Sequence, residues 1–137
     1  MNKVKRDKID KVFSELIRRK SKGVCAVSKV MPDICKSPVN KWKYGMDCSH
    51  TGFGRRNQST RFSFLNCDAV CKGCHRKLGE SSIFASSFKY KQLGARKFNE
   101  LTDESNKVCK RSKADKEDLY KDLKEQLKEL DQDFDFV

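Results

Sequence analysis

The sequence predicts an α+β protein in which a small metal-stabilised core lies between N- and C-terminal helices. The chain has 137 residues, of which 36% are hydrophobic, so its side chains alone would form only a thin core. It contains seven cysteines, an odd number, and no apolar secretory segment follows the basic N-terminus. This combination favours metal binding over a disulfide scaffold. Helical periodicity is clearest towards the two ends of the chain, which leaves the Cys-rich middle for short strands and loops.

The charge of the chain is strongly basic and unevenly distributed. Lys and Arg total 31 against 19 Asp and Glu, a net charge of +12. Residues 1–24, 25–80 and 81–112 are each basic, whereas residues 113–137 are acidic. A small basic domain of this kind typically binds a polyanion, so nucleic acid is the expected partner. A solvated surface kept for solubility is the alternative. No apolar run approaches the roughly 18 residues of a membrane span, so no membrane partner is expected.

Residues 1–24 form a predicted basic N-terminal helix. The apolar residues within 5–20 are spaced as one face of a helix: Ile9, Val12, Phe13, Leu16 and Ile17. Basic residues fill the other positions, and Gly23 is expected to end the helix just before Cys25.

Residues 25–80 form the predicted core. Pro32 and Pro38 predict irregular structure after Cys25, and the alternation of Trp42, Tyr44 and Met46 predicts a brief strand leading to residue 47. A second short strand or an extended segment is expected over the apolar residues Phe62, Phe64 and Leu65. A helix is expected to begin within the segment from Cys71 to Leu78.

Residues 81–130 form a predicted C-terminal helical region. Two short helices are expected within 86–101, with a break near Gly94, and a longer helix within 114–130. Leu residues along this longer helix form a stripe that either packs back on the domain or pairs with a second subunit. Residues 131–137 alternate acidic and aromatic residues. This tail can be solvated, or it can dock on a protein partner or on the basic face of the chain.

The cysteine spacing predicts a structural zinc site. Cys71 and Cys74 are two residues apart, as in a zinc knuckle, and supply half of a tetrahedral site. The other two ligands must come from a set of four: Cys25, Cys35, Cys48 and Cys67. Cys109 lies in a basic region and is expected to be a free thiol.

Four further residues with reactive or metal-binding side chains occur in a characteristic order along the chain. Asp47 precedes His50, Asn66 comes next, and His75 directly follows Cys74. This is the order of HNH, or ββα-metal, nucleases, in which a hairpin His acts as general base and a helix His binds a divalent metal. Each residue alone would have a structural explanation, with His75 as a zinc ligand and Asp47 as a turn cap. The order, together with the basic charge, favours a nuclease.

The motifs resemble more than a general HNH pattern. The segments Asp47-Cys48-Ser49-His50, Arg61-Phe62-Ser63-Phe64-Leu65-Asn66 and Cys71-Lys72-Gly73-Cys74-His75 resemble the NinG/Rap recombination endonucleases of lambdoid phages. The resemblance implies an enzyme that cuts branched DNA such as Holliday junctions and D-loops, depends on Mg²⁺ or Mn²⁺, works as a homodimer when both strands are cut, and acts in the cytoplasm of the infected bacterial host.

The expected roles follow from this resemblance and from the chemistry of the side chains. His50 is the general base, His75 and Asp47 bind the catalytic metal, and Asn66 holds the hairpin. Five basic residues are expected to contact backbone phosphates: Arg55, Arg56, Arg61, Arg76 and Lys77.

The sequence departs from the family pattern at two places. Ser28 stands where the first knuckle usually has its second Cys, so Cys35 is expected to replace it. The predicted zinc ligands are therefore Cys25, Cys35, Cys71 and Cys74, with Cys48 or Cys67 as alternatives. Ser49 replaces the Gly before the His. The common HNH form has an acid immediately before the base, whereas Asp47 lies three positions earlier, which weakens its assignment as a metal ligand. Two alternative functions stay open: a non-enzymatic zinc-stabilised DNA-binding recombination factor, and an HNH nicking or homing endonuclease acting on linear duplex.

Overall fold

The computed structural model describes residues 5–36 and 45–135, with side chains for 5–36 and 45–130. The described elements are α1 (Lys8–Lys20), α2 (Ala26–Val30), β1 (Asp47–His50), β2 (Cys67–Val70), α3 (Lys72–Glu80), α4 (Ser82–Ser105) and α5 (Lys113–Asp135). The mixture of helices with a small two-stranded sheet confirms the α+β class. None of the helices in the described ranges is both long and apolar enough to cross a membrane.

Helix α1 starts at a capping box and packs against the hairpin. The Asp7 carboxylate accepts hydrogen bonds from the backbone N–H groups of Ile9 and Asp10, and the Asp10 carboxylate accepts one from the N–H of Asp7. Phe13 and Leu16 on its apolar face are buried in the core. Helix α5 packs against α1 and buries Leu123. The Leu stripe therefore packs back on the domain, the first of its two predicted arrangements.

The two strands pair in an antiparallel hairpin, with Asp47 opposite Val70 and His50 opposite Cys67. The prediction of a second strand over residues 62–65 is wrong, because these residues form turns and the strand begins at Cys67. The ring of Phe62 instead packs edge-on against Phe13 of α1. Residues 42–44 of the predicted strand before residue 47 lie outside the described residues.

The helices after the hairpin follow the predicted order with different bounds. Helix α3 begins directly after Cys71, as expected. Helix α4 is kinked at Gly94, which has a φ of +78°, a conformation that Gly adopts without the cost of a side chain. The predicted break is thus confirmed, although the helical region extends from Ser82 to Ser105. Helix α5 continues to Asp135, so part of the predicted tail is helical.

Candidate functional site

Four cysteines meet behind the hairpin. The Sγ atoms of Cys25, Cys35, Cys71 and Cys74 all lie within 4.8 Å of one another, and all four residues are buried. The Sγ atoms of Cys35 and Cys71 are 3.8 Å apart, which matches the roughly 3.8 Å expected between two thiolates of a tetrahedral zinc ion with 2.3 Å bonds. The cluster can therefore hold a zinc ion, and its members are the four predicted ligands.

The local structure around the cluster suits thiolate ligands. The backbone N–H of Cys71 donates to the Cys25 sulfur at 3.3 Å, and the N–H of Cys74 donates to the Cys71 sulfur at 3.5 Å. Burial raises the pKa of the Cys74 thiol, and the Cys71 and Cys25 sulfurs raise it further. A cation is thus needed if all four groups are to be thiolates.

The alternative ligands Cys48 and Cys67 lie outside the cluster. The Cys67 sulfur is buried 3.8 Å from the carbonyl oxygen of Arg61. A hydrogen bond with Cys48 and burial raise the pKa of the Cys67 thiol far above its ordinary value, which keeps the thiol protonated. Cys48 lines the cavity beside the hairpin.

Asp47, His50 and His75 are brought together at this cavity. Two adjoining hollows of about 380 and 300 Å³ share four lining residues, Cys48, His50, Arg55 and His75, and Asp47 lines the smaller one. Asp47 and His50 are the two ends of β1, and His75 lies in the first turn of α3. The order strand, connection, strand, helix therefore places the three side chains around one open space.

The orientation of His50 is fixed by a backbone carbonyl. Its Nε2 lies 3.0 Å from the carbonyl oxygen of Arg61. Since a carbonyl can only accept, Nε2 carries the proton and Nδ1 of the neutral ring keeps its lone pair. Burial lowers the pKa of His50 below its ordinary value. The hydrogen bond to Arg61 and the negative charge of Asp10 oppose this, and the positive charges of Arg55 and Arg61 add to the lowering. The ring is thus neutral near pH 7.

Asp47 and His75 form a close pair at the mouth of the cavity. The Asp47 Oδ2 and His75 Nδ1 atoms are 3.1 Å apart, and both side chains are about one-third to one-half exposed. Two ligands at neighbouring positions of an octahedron with bonds of about 2.1 Å would lie about 3.0 Å apart. This separation fits a shared Mg²⁺ or Mn²⁺, and it equally fits a direct hydrogen bond. Lys72 lies 3.5 Å from the other Asp47 oxygen.

Asn66 organises the connection between the strands. Its buried carboxamide donates to the carbonyl oxygens of Phe53 and Thr60 at 2.8 and 3.2 Å, and its Oδ1 accepts from the N–H of Phe53 at 2.7 Å. Its backbone carbonyl accepts from Thr51 at 3.0 Å. These contacts fix the conformation of residues 51–66, and the role of Asn66 in positioning the base stays a prediction.

Arg61 does not occupy the place predicted for it. Its side chain is only 8% exposed and pairs with Asp10 of α1, with Nε 3.0 Å from Oδ1. Burial raises the pKa of Asp10, but the hydrogen bonds from Arg61 and Asp7 and the positive charge of Arg61 together outweigh it and hold that pKa below its ordinary value. A guanidinium buried in this pair cannot reach a DNA phosphate, so this prediction is corrected. Arg61 instead contributes its carbonyl to His50.

The other predicted phosphate contacts lie at or near the surface. Arg55 lines both hollows of the cavity. Arg56, Arg76 and Lys77 are exposed, and the Lys77 amine donates to the carbonyl oxygen of Ile34 at 3.2 Å.

Sequence reasoning missed three residues of α1 and the segment before it. Arg6, Ser14 and Arg18 line the smaller hollow beside His50 and His75. The spacing of four between Ser14 and Arg18 would have put them on one helix face. The sequence gives no local sign that this face lies against the hairpin, because that contact joins distant segments.

No family model matches the chain, and neither a curated protein nor a solved structure is detectably similar to it. The resemblance to NinG/Rap endonucleases therefore rests on the sequence motifs.

Proposed function

We propose that the chain is a divalent-metal-dependent HNH-type endonuclease that hydrolyses phosphodiester bonds in DNA. The observation that carries the proposal is the cavity shared by a neutral His50, whose Nδ1 is free to accept a proton, and the Asp47–His75 pair. A base and a pair of metal-binding side chains around one open space are what hydrolysis of a phosphodiester requires.

Each residue has a defined role in this proposal. His50 takes a proton from the attacking water at Nδ1, while the carbonyl of Arg61 holds the ring. Asp47 and His75 would hold Mg²⁺ or Mn²⁺, which when bound would polarise a phosphate oxygen and stabilise the negative charge that develops. Asn66 keeps the connection in shape, so that the Arg61 carbonyl stays opposite His50.

The substrate side of the proposal draws on charge and on the motifs. The net charge of +12 suits a DNA backbone, and Arg55, Arg56, Arg76 and Lys77 are candidates for phosphate contacts. From the NinG/Rap resemblance we propose branched DNA, such as Holliday junctions and D-loops, as the substrate in phage recombination. A homodimer would allow two strands of a junction to be cut, and the site of action would be the cytoplasm of the infected host.

A second candidate is a zinc-stabilised DNA-binding recombination factor without catalysis. The cysteine cluster and the basic charge favour it, because neither feature requires a reaction. A nicking or homing HNH enzyme would share the chemistry of the first proposal but cut linear duplex.

The test compares zinc-loaded wild type with His50→Ala on three labelled DNAs of matched sequence: a four-way junction, a D-loop and a linear duplex, each in Mg²⁺ and in Mn²⁺. Gly54→Ala is the control, since a Cβ there meets nothing within 4 Å. We expect cutting near the branch by wild type and by the control, and none by His50→Ala. Equal cutting of linear duplex would refute the branch preference and keep the nuclease. DNA binding without cutting in either metal would favour the second candidate.

A further inference from the structure

The α1 side of the cavity carries two arginines beside the candidate catalytic residues. Arg6 and Arg18 line the smaller hollow of about 300 Å³ together with Asp47, His50 and His75. Arg6 lies just before α1 and Arg18 in its last turn. These side chains therefore face the same space as the base and the metal-binding pair.

Ser14 holds both guanidinium groups next to each other. Its buried hydroxyl oxygen accepts a hydrogen bond from Arg6 Nη2 at 2.6 Å and one from Arg18 Nη1 at 3.4 Å. The same hydroxyl donates its proton to the carbonyl of Lys11 at 3.2 Å. Both lone pairs and the proton of the Ser14 hydroxyl are therefore engaged. The two guanidinium groups are held beside one uncharged oxygen atom.

Neither arginine has a carboxylate partner among the described residues, and the Nε of Arg18 is buried there without an acceptor. The acids that line the hollow are already engaged, since Asp10 pairs with Arg61, and Asp47 faces His75 and Lys72. Two neighbouring guanidinium groups repel each other. An anion lying between them would remove this repulsion and satisfy the free donors.

We infer that Arg6, Ser14 and Arg18 form a phosphate-binding subsite for the DNA backbone, next to the phosphodiester that reacts. This inference rests on the proposed function for the identity of its ligand. The planar donors of Arg suit the oxygens of a phosphodiester. The subsite holds the strand so that its neighbouring phosphate reaches His50 and the Asp47–His75 pair.

The experiment measures binding separately from cutting. The affinity of the zinc-loaded full chain for a short linear duplex is measured by fluorescence anisotropy over a range of salt concentrations, without added Mg²⁺ or Mn²⁺. The variants are Arg6→Ala, Arg18→Ala and the double variant. Lys121→Ala on α5, an exposed position outside the cavity, removes the same charge elsewhere. Arg6 is exposed, so its variant should fold even if the Arg18 variant does not.

We expect each arginine variant to weaken binding about tenfold and to reduce the slope of log affinity against log salt by about one. The double variant should reduce the slope by about two, and Lys121→Ala should leave it unchanged. Ser14→Ala keeps both charges and should lower affinity with little change in slope.

The outcomes separate this inference from the nuclease proposal. Slopes for Arg6→Ala and Arg18→Ala equal to wild type would overturn the subsite, even if the protein cuts DNA. The expected loss of slope in a protein that does not cut would support the subsite and refute the nuclease. A protein without measurable affinity for this duplex would overturn the subsite, and the cutting test on the branched DNAs would still decide the nuclease proposal.

Discussion

A methyl group added at Gly52 should distort the connection that positions the candidate base. A Cβ at this position would lie 2.6 Å from the Asn66 Oδ1 atom and 3.1 Å from the Cδ2 atom of Leu101. Leu101 can shift its side chain, but Asn66 is buried and its carboxamide is held by hydrogen bonds of 2.7 and 2.8 Å to the backbone of Phe53. The Asn66 carboxamide must therefore move and weaken these bonds.

The size of the effect follows from these contacts. Two weakened hydrogen bonds cost about 1 kcal/mol each, and overpacking costs about 1–3 kcal/mol. We expect Gly52→Ala to lower the free energy of unfolding by about 2–4 kcal/mol, since the local relaxation overlaps with the lost bonds. The same shift would move the Arg61 carbonyl away from His50 Nε2, so metal-dependent cutting should fall in the folded variant as well.

The assay is urea unfolding of the zinc-loaded protein, with Gly54→Ala as the matched control. A Cβ at Gly54 meets nothing within 4 Å, and Gly→Ala at an unstrained position stabilises a protein by about 0.4–1 kcal/mol through the unfolded chain. The two variants should therefore change stability in opposite directions. A Gly52→Ala protein within about 0.5 kcal/mol of wild type would refute the assignment of Asn66 as the fixed point of the connection.

Three further predictions follow from the same geometry. The pKa of His50, measured by NMR, should lie below its ordinary 6.5 because the ring is buried. The unfolded chain then binds the proton more readily than the folded protein, so the free energy of unfolding should fall as the pH drops from 6.5 towards the pKa of the folded state. A measured pKa above 6.5 would contradict this. Cys25→Ser should lose the zinc that wild type retains and melt at lower temperature, whereas Cys109→Ser, outside the cluster, should keep both properties; zinc analysis and circular dichroism measure this. Lys89→Met should cost about 3–5 kcal/mol in urea unfolding because it leaves the Asp68 carboxylate buried without the amine now 2.6 Å away, and removing both partners should cost less than removing one.

The Cys71–Cys74 half of the cysteine cluster and the helices were predictable because their signals are local, whereas Cys25 and Cys35 were assigned through the NinG/Rap resemblance. The Cys71–Cys74 spacing and the apolar face of α1 are each contained within a few turns of chain. The second strand was misplaced because Phe62 and Phe64 alternate like strand residues, whereas they pack on Phe13 from turns. The observed strand β2 contains Asp68, which is buried. A carboxylate is rarely expected at a buried position from the sequence alone.

The partner of Arg61 could not be read from the sequence for a similar reason. The carboxylate that pairs with Arg61 belongs to Asp10 in α1, 51 residues earlier in the chain. No local sequence pattern connects the two residues. A basic residue between two motifs therefore looked like a phosphate contact. The fold shows that Asp10 neutralises the charge of Arg61 and that the backbone carbonyl of Arg61 is the group that contacts His50.

Polar contacts tie each part of the candidate site to a neighbouring element. Arg61 ties the connection to α1, and Asp68 ties β2 to α4 through Lys89. The cysteine cluster ties the start of α3 to the segment around α2. A module that only bound DNA would need positive charge on its surface. DNA binding alone does not require a buried ion pair that holds the Arg61 carbonyl opposite the Nε2 atom of His50. Under the proposed function, the ring of the general base must be held so that its free nitrogen faces the water, and the Asp10–Arg61 pair holds the residue whose carbonyl contacts His50. The buried Asp10–Arg61 pair would then orient His50 as well as attach the connection between the strands to α1.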